Sequence, residues 1–216
     1  MQPSVFISTT RKGISRAYFT KTGDWNVRSL LGDYDVRTLA ADPLRKNIIY
    51  TGTQGNGILR SDDYGETWHP SGLDSNIVKA IAVSQIDEGV VYAGTKPPLI
   101  YVSEDGGKKW KELTSFRNIP GRRLWFSPAE LPGTAYVQAI ALSPTNPNII
   151  LAGIEFGAVV GSEDCGINWS GHRSKALRDC HSLMFHFKDG NRVYEAGGTG
   201  GGAASSRDSG KTWIRY

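Results

Sequence analysis

The sequence predicts an all-β fold, a β-propeller of four-stranded antiparallel blades. Three observations predict it. A Ser-x-Asp-x-Gly-x-x-Trp motif occurs four times, the segments upstream of each copy keep common offsets, and short alternating apolar runs bounded by Gly, Asn, Asp and Pro replace any sustained helical period. A repeat of four strands and roughly 40–45 residues is the size of one propeller blade.

The motif copies begin at Ser61, Ser103, Ser162 and Ser206, spacings of 42, 59 and 44 residues. Each holds a serine, an aspartate, a glycine and a tryptophan in fixed register. These are Ser61, Asp63, Gly65 and Trp68; Ser103, Asp105, Gly107 and Trp110; Ser162, Asp164, Gly166 and Trp169; and Ser206, Asp208, Gly210 and Trp213. The serine hydroxyl and aspartate carboxylate suit turn N–H groups, glycine permits positive φ, and tryptophan buries a large ring as the next strand begins. Upstream, Val36-Arg-Thr-Leu-Ala-Ala matches Val78-Lys-Ala-Ile-Ala-Val, Val137-Gln-Ala-Ile-Ala-Leu and His181-Ser-Leu-Met-Phe-His, and Gly52, Gly94, Gly153 and Gly197 hold one position in a second run. Each unit therefore reads as strands A to D with the motif at the C–D turn.

The units divide the chain into a partial blade at 1–35 and blades at 36–77, 78–136, 137–180 and 181–216, the second of these four carrying an insertion at 115–134. In the partial blade, Val5–Ser8, Ile14–Phe19 and Trp25–Leu31 read as strands B, C and D. Four full blades and three strands make an unclosed array with an exposed edge, so the expectation is a segment of a longer polypeptide with further blades.

These motifs resemble the Asp-box, or BNR, repeat of sialidase-like propellers, and the resemblance runs from about Val36 to Trp213. It implies that the box carboxylates are structural and lie on the face opposite a sialidase's catalytic centre. Trp125-Phe-Ser-Pro-Ala-Glu130, Ala139-Ile-Ala-Leu-Ser-Pro144 and Leu177-Arg-Asp-Cys-His181 carry a closer resemblance to bacterial proteins described as BNR-repeat or glycosyl-hydrolase proteins. For that group the resemblance implies a fold but no settled reaction. The sialidase-like Arg-Ile-Pro element has no true counterpart: Phe116-Arg-Asn-Ile-Pro120 follows two boxes and carries an extra Asn.

Function is expected on the other face, where B–C loops and D–A links meet. The insertion, with Arg117, Arg122, Arg123, Trp125, Phe126 and Glu130, is expected to cap the channel. With His172, Arg173, Lys175, Arg178, Asp179, His181, Glu155 and Glu195 it forms a charged cluster at one channel mouth. Two readings follow. In the first, the propeller is a binding or scaffold protein that takes an unidentified protein or carbohydrate-like ligand through Arg122, Arg123, Trp125, Arg178 and His181. In the second, it is a glycoside hydrolase whose carboxylates come from Glu155, Glu195 and Asp179, since that chemistry needs two carboxyl groups about 5–10 Å apart. Mutual ion pairing of the same groups is the structural alternative.

No metal or cofactor is expected. His181 and His186 alternate onto opposite strand faces, which disfavours zinc. The run Gly197–Gly202 lacks the Lys-Ser/Thr of a phosphate loop and precedes a strand, so close backbone approach explains it. Cys165 and Cys180 fall at opposite ends of the blades and are expected as free thiols. A formal charge of +4 is too mild for a nucleic-acid binder. No 18-residue apolar run spans a membrane and no signal segment opens the chain, so the expected compartment is the cytoplasm.

Overall fold

The computed structural model describes residues 5–10, 12–128, 133–198 and 201–216. It is all-β, with five antiparallel sheets in chain order. The first has three strands, β1 (Val5–Thr9), β2 (Ile14–Phe19) and β3 (Trp25–Leu30). The second is β4 (Val36–Ala41), β5 (Ile49–Thr53), β6 (Ile58–Ser61) and β7 (His69–Pro70). The third is β8 (Ile77–Val83), β9 (Val91–Lys96), β10 (Ile100–Ser103) and β11 (Lys111–Glu112). The fourth is β12 (Val137–Leu142), β13 (Ile150–Ile154) and β14 (Val159–Ser162), and the fifth β15 (Cys180–His186), β16 (Asp189–Gly197), β17 (Ala203–Ser206) and β18 (Ile214–Arg215). Successive blades meet through their first strands, β4 on β8, β8 on β12 and β12 on β15.

The fourth blade departs from the repeat. Its last segment keeps the position of a fourth strand but pairs partly through side chains. Ser170 and Arg173 donate backbone N–H groups to Gly161 and Val159, while the Ser170 hydroxyl and His172 Nδ1 accept the N–H groups of those same partners. Side-chain acceptors stand where a regular ladder would use carbonyls, so strand pairing lapses.

Each Asp box is built the same way. The serine hydroxyl donates to the aspartate, over 2.7–2.9 Å, and accepts the box glycine N–H at 2.8 Å. The aspartate then accepts the N–H four residues on, from Thr67, Lys109, Asn168 or Thr212. The tryptophan ring N–H closes the turn onto the glycine carbonyl. Two residues per box are left-handed, for example Tyr64 and Gly65 at φ 61° and 79°. The first of each pair donates its N–H to the A–B turn, Tyr64 to Asn47, Gly106 to Gly89, Cys165 to Asn148 and Ser209 to Asn191, which fixes boxes and A–B turns at one end of the blades.

A second repeated contact sets the spacing between blades. A Cβ on Gly52 would lie 2.7 Å from Val78 Cγ1, one on Gly94 2.5 Å from Val137 Cγ1, and one on Gly153 would collide with Cys180. Each glycine is thus a seat for a residue at the start of the next blade's inner strand. In the fifth blade, Gly197 does not hold this position. Pairing of Ala196 with Ser182 and Ala203 puts Ala196 in register with the seat glycines, and Cys180, not His181, stands with Val36, Val78 and Val137. The fifth blade's B–C loop is one residue longer, which displaced the sequence alignment by one. Both cysteines are free, Cys165 exposed and Cys180 buried.

Two outcomes test these contacts. Gly94→Val should cost about 1–3 kcal/mol by forcing Val137 from its seat, whereas Ala196→Val, on an exposed strand face, should leave the melting temperature nearly unchanged. At Asp63 burial alone would raise the pKa, but hydrogen bonds from the Thr67 hydroxyl and N–H, the Ser61 hydroxyl and the Glu66 N–H pull it from 3.8 to about 2. Its contribution is then fully present above pH 3.8 and lost as pH falls through about 2. Acid-titrated melting should show the gap between wild type and Asp63→Ala closing over that interval; a gap that persists at the acid end would refute the assignment.

Candidate functional site

The end opposite the Asp boxes is organised by two sets of repeat-equivalent positions. Each inner strand of blades two to five carries a bulge near its start, at Val36/Thr38, Val78/Ala80, Val137/Ala139 and Cys180/Ser182. The bulged residues are Arg37, Lys79, Gln138 and His181. The second set opens the B–C loops two residues beyond the seat position and comprises Gln54, Lys96, Glu155 and Gly198. In three of these, Gln54, Glu155 and Gly198, the backbone N–H bonds the carbonyl of the residue before the inner strand, at Asp35, Tyr136 and Asp179. Bulges characteristically re-aim side chains near functional sites.

Glu155, Asp179 and His181 converge here. His181 Nε2 lies 3.1 Å from Asp179 Oδ1 and 3.6 Å from Glu155 Oε2, and the three donor atoms all fall within 4.8 Å of one another. Glu155 is 3% exposed and Asp179 9%, while the His181 side chain is 48% exposed. Neither Glu155 Oε2 nor Asp179 Oδ1 has a hydrogen-bond partner. Burial pushes the Glu155 carboxyl above its ordinary range, Asp179 pushes it further, and His181, Tyr136 and Lys79 oppose the rise. Gly198 closes the floor: a Cβ there would collide with Asp179 Oδ2 and lie 2.7 Å from His181 Nε2. Close backbone approach accounts for that glycine; Thr199 and Gly200 lie outside the described residues.

Glu195 sits elsewhere. Its Oε2 accepts the Leu177 N–H at 2.9 Å within the core of blades four and five, and its carboxyl is held high by burial despite that bond. The two candidate glutamates therefore do not face each other. Arg178 is exposed, its guanidinium 3.4 Å from the Gly157 carbonyl.

The described part of the insertion wedges between blades three and four instead of capping the channel, because its apolar residues find a core there. Two short 3₁₀ turns, Thr114–Asn118 and Arg122–Leu124, bury Phe116 and Ile119 in the core those blades share. Arg122, expected to bind ligand, lies over the Phe116 and Trp125 rings and donates to the Pro98 and Phe116 carbonyls. Arg117 pairs with Glu112, and Arg123 is exposed beside it on a shallow surface groove. Trp125 packs on Gly157, and Phe126 stacks on Phe156 at 5.6 Å. Phe156 itself has φ 41°, an uncommon left-handed conformation for an aromatic residue. The insertion thus braces the strained turn that carries Glu155. Glu130 lies outside the described residues.

Sequence reasoning missed Tyr136 and Lys79. Tyr136 hydrogen-bonds Glu155, and Lys79 lies 4.8 Å over the Tyr136 ring. The signal available was the bulge register, which places Lys79 and His181 at equivalent positions. A groove of about 590 Å³ lies at the other end, between the A–B turns and boxes of blades three and four. It gathers no comparable set of unpartnered buried carboxylate atoms.

Comparison with known proteins supports this architecture. Residues 59–70 match the model of the BNR/Asp-box repeat, and residues 100–113 that of the BNR-Asp box repeat. No curated protein matches the sequence. An ancestral GH74 enzyme superposes with a TM-score of 0.69 at 15% identity, covering 98% of this chain and 29% of that one. The GH74 xyloglucanase from Xanthomonas campestris gives 0.66 at 16%, covering 98% and 37%. A chain of the COPII outer coat vertex on membranes gives 0.68 at 12%, covering 98% and 58%. The chain thus carries Asp-box repeats on a β-propeller fold and spans about a third of the GH74 chains it resembles. Among the described residues no helix is long and apolar enough to cross a membrane.

If the insertion braces the 155–157 turn, Trp125→Ala should loosen it. Hydrogen exchange should rise by about tenfold, or 1.4 kcal/mol, at the Glu155 and Gly157 amides before it rises in β5 or β9. Uniform acceleration across all blades would show that Trp125 stabilises the whole array instead.

Proposed function

We propose that this chain is a binding propeller whose channel mouth, at the meeting of blades four and five, takes a polar ligand, either carbohydrate-like or a protein segment. One observation carries the reading: a half-exposed histidine closes on two buried carboxylates whose facing oxygens have no hydrogen-bond partner. Unsatisfied buried acceptors are costly and rare, and these open toward solvent through His181. Basic Lys79 and Lys96, on the neighbouring blade, complete a mouth of mixed charge suited to a ligand with both donors and acceptors. In this reading Arg178 and His181 touch the ligand. Trp125 and Arg122 act on it indirectly, by holding the Glu155 turn.

The glycoside-hydrolase reading is favoured by one observation, the raised pKa of Glu155, which is the property of a general acid. Its partner would be Asp179. One oxygen of each carboxylate lies within 4.8 Å of one of the other's, well short of inverting spacing, and His181 Nε2 sits against both where a sugar ring would have to enter. The binding reading is therefore preferred.

A thermal-shift screen of oligosaccharides, xyloglucan fragments and peptides, run beside turnover assays with aryl-glycosides and aryl-sialosides, separates the two. Binding predicts a ligand-induced shift that His181→Ala and Gly198→Ala abolish, with no turnover. Turnover abolished by Glu155→Gln would establish the enzyme instead. A ligand shift indifferent to both variants would move the site off the channel mouth.

A further inference from the structure

We infer that Glu155, Asp179 and His181 form a binding site for one divalent first-row transition metal ion, with Zn2+ as its representative. The inference deepens the binding reading of the channel mouth and rests on it.

Proton counting starts the argument. His181 Nε2 faces Asp179 Oδ1 and Glu155 Oε2 together, yet an imidazole nitrogen carries at most one proton. At 3.1 Å from Asp179 and 3.6 Å from Glu155, that single proton can reach one carboxylate at most, and neither facing oxygen has a hydrogen-bond partner. Glu155 Oε2 then remains an acceptor with no donor, inside a residue 3% exposed. Three lone-pair donors aimed at one point are poorly satisfied by one proton and well satisfied by one cation.

Geometry agrees. Nitrogen and oxygen ligands about 2.0–2.2 Å from a common ion at roughly tetrahedral angles lie about 3–3.9 Å apart. The two histidine–carboxylate separations are within that span, and the carboxylates themselves lie within 4.8 Å. The backbone leaves the room: residue 198 is glycine where its repeat equivalents are Gln54, Lys96 and Glu155, and a Cβ there would occupy the space between Asp179 and His181. The donors are also anchored at different depths. Glu155 sits on the braced turn, and Asp179 is tied through its carbonyl to the Gly198 N–H.

Donor chemistry selects the ion. An imidazole with two carboxylates suits Zn2+ and its first-row neighbours, whereas Mg2+ and Ca2+ prefer all-oxygen sites. Three protein ligands leave coordination open, as in sites that hold a water or substrate. His181 is half-exposed, so a hydroxyl or carboxylate of an incoming ligand can reach the ion. Lys79 lies close enough to act on Glu155 and is the counter-charge the metal must outcompete.

Sequence reasoning disfavoured zinc by pairing His181 with His186. The structure supplies the missing ligands from a B–C loop and a D–A link in place of a second histidine.

Calorimetric titration of the chelator-treated protein with Zn2+ alone tests the site, with no organic ligand present. One ion should bind per chain. His181→Ala and Glu155→Gln should weaken it by more than about 100-fold, beyond the 10- to 100-fold cost of losing an outer-shell partner. Gly198→Ala should weaken it without removing a donor. His186→Ala and Cys165→Ser should leave it unchanged. Bound Co2+ should show visible bands that vanish in His181→Ala. Since His181 is half-exposed, that variant should fold even if Glu155→Gln does not. No Zn2+ binding, or binding indifferent to His181→Ala, overturns the metal site. A ligand shift in the thermal screen that survives in metal-free protein would leave the binding reading standing alone.

Discussion

The contact on which the rest of the molecule depends is a side chain pressed against a glycine. Val78 on Gly52, Val137 on Gly94 and Cys180 on Gly153 set how near each inner strand can come to the blade before it. Only with that approach do the middle strands become buried on both faces, as β5 and β13 are throughout. Double-sided burial contributes most of the apolar driving force in a small repeat, at about 25 cal/mol per Å². The Asp box acts at the other end of the same strands. Its serine, aspartate and ring N–H satisfy a tight turn with two left-handed residues, so the C–D hairpin can reverse under the packed sheet. The box glycine doubles as a contact for the preceding blade, taking Ile7, Leu113 or Leu151.

A repeat this regular makes its exceptions informative. The loop-opening position is Gln54, then Lys96, then Glu155, then Gly198, and the bulge position is Arg37, Lys79, Gln138, then His181. The backbone is nearly the same, with a bulge in every one of these blades and the N–H to carbonyl bond in three of the four, while the side-chain chemistry changes around the mouth. Asp35 pairs with Arg37 across two residues, and the equivalent pair in the last blade is Asp179 with His181. A guanidinium there has five donors and a full charge. Imidazole has far less to offer, and Glu155 adds a second acceptor. The site therefore arises from placing a weaker donor and an extra carboxylate into a position that in the second blade holds a full-charge ion pair.

Most of the fold was legible in the sequence, since boxes at fixed register disclose blade boundaries and alternation discloses strands. The three strands of the first blade were found within a residue or two despite its lack of a full box, because Val5, Ile14 and Trp25 each begin a period-2 run. The slip at Gly197 has a physical origin: one added loop residue preserves the spacing from glycine to box while moving the glycine out of its seat. The candidate carboxylates Glu155 and Asp179 were also legible, as polar residues in otherwise apolar positions. Their place with His181 at one channel mouth was legible too; the direct convergence of the three side chains, without Glu195, was not, because a bulge inverts the alternation that assigns side chains to faces. Arg122 and Trp125 looked like ligand contacts because exposed loops carry most such residues. A loop that folds into an interblade core breaks that expectation, and nothing in its composition separates an aromatic that anchors from one that binds.

Glu155 and Glu195 show why titration alone is a weak guide to function. Both are 3% exposed, and burial raises the pKa of both. Glu195 accepts a backbone N–H in a core lined by Leu177, Cys180 and Leu183, so its carboxylate completes a turn that would otherwise leave a donor unpaired. Glu155 is raised partly by a second carboxylate, and its free oxygen faces a histidine that solvent reaches. Desolvation is common to the two, and each keeps one oxygen without a hydrogen-bond partner, Glu155 Oε2 and Glu195 Oε1. What differs is what lies beside that oxygen, a histidine that solvent reaches in one case and the buried core with Cys180 in the other. A spare acceptor sealed inside the core, as at Glu195, is out of reach of any ligand. A glutamate whose acceptor is left over, next to another like it and under an accessible imidazole, has capacity that only a ligand, a proton or an ion can fill.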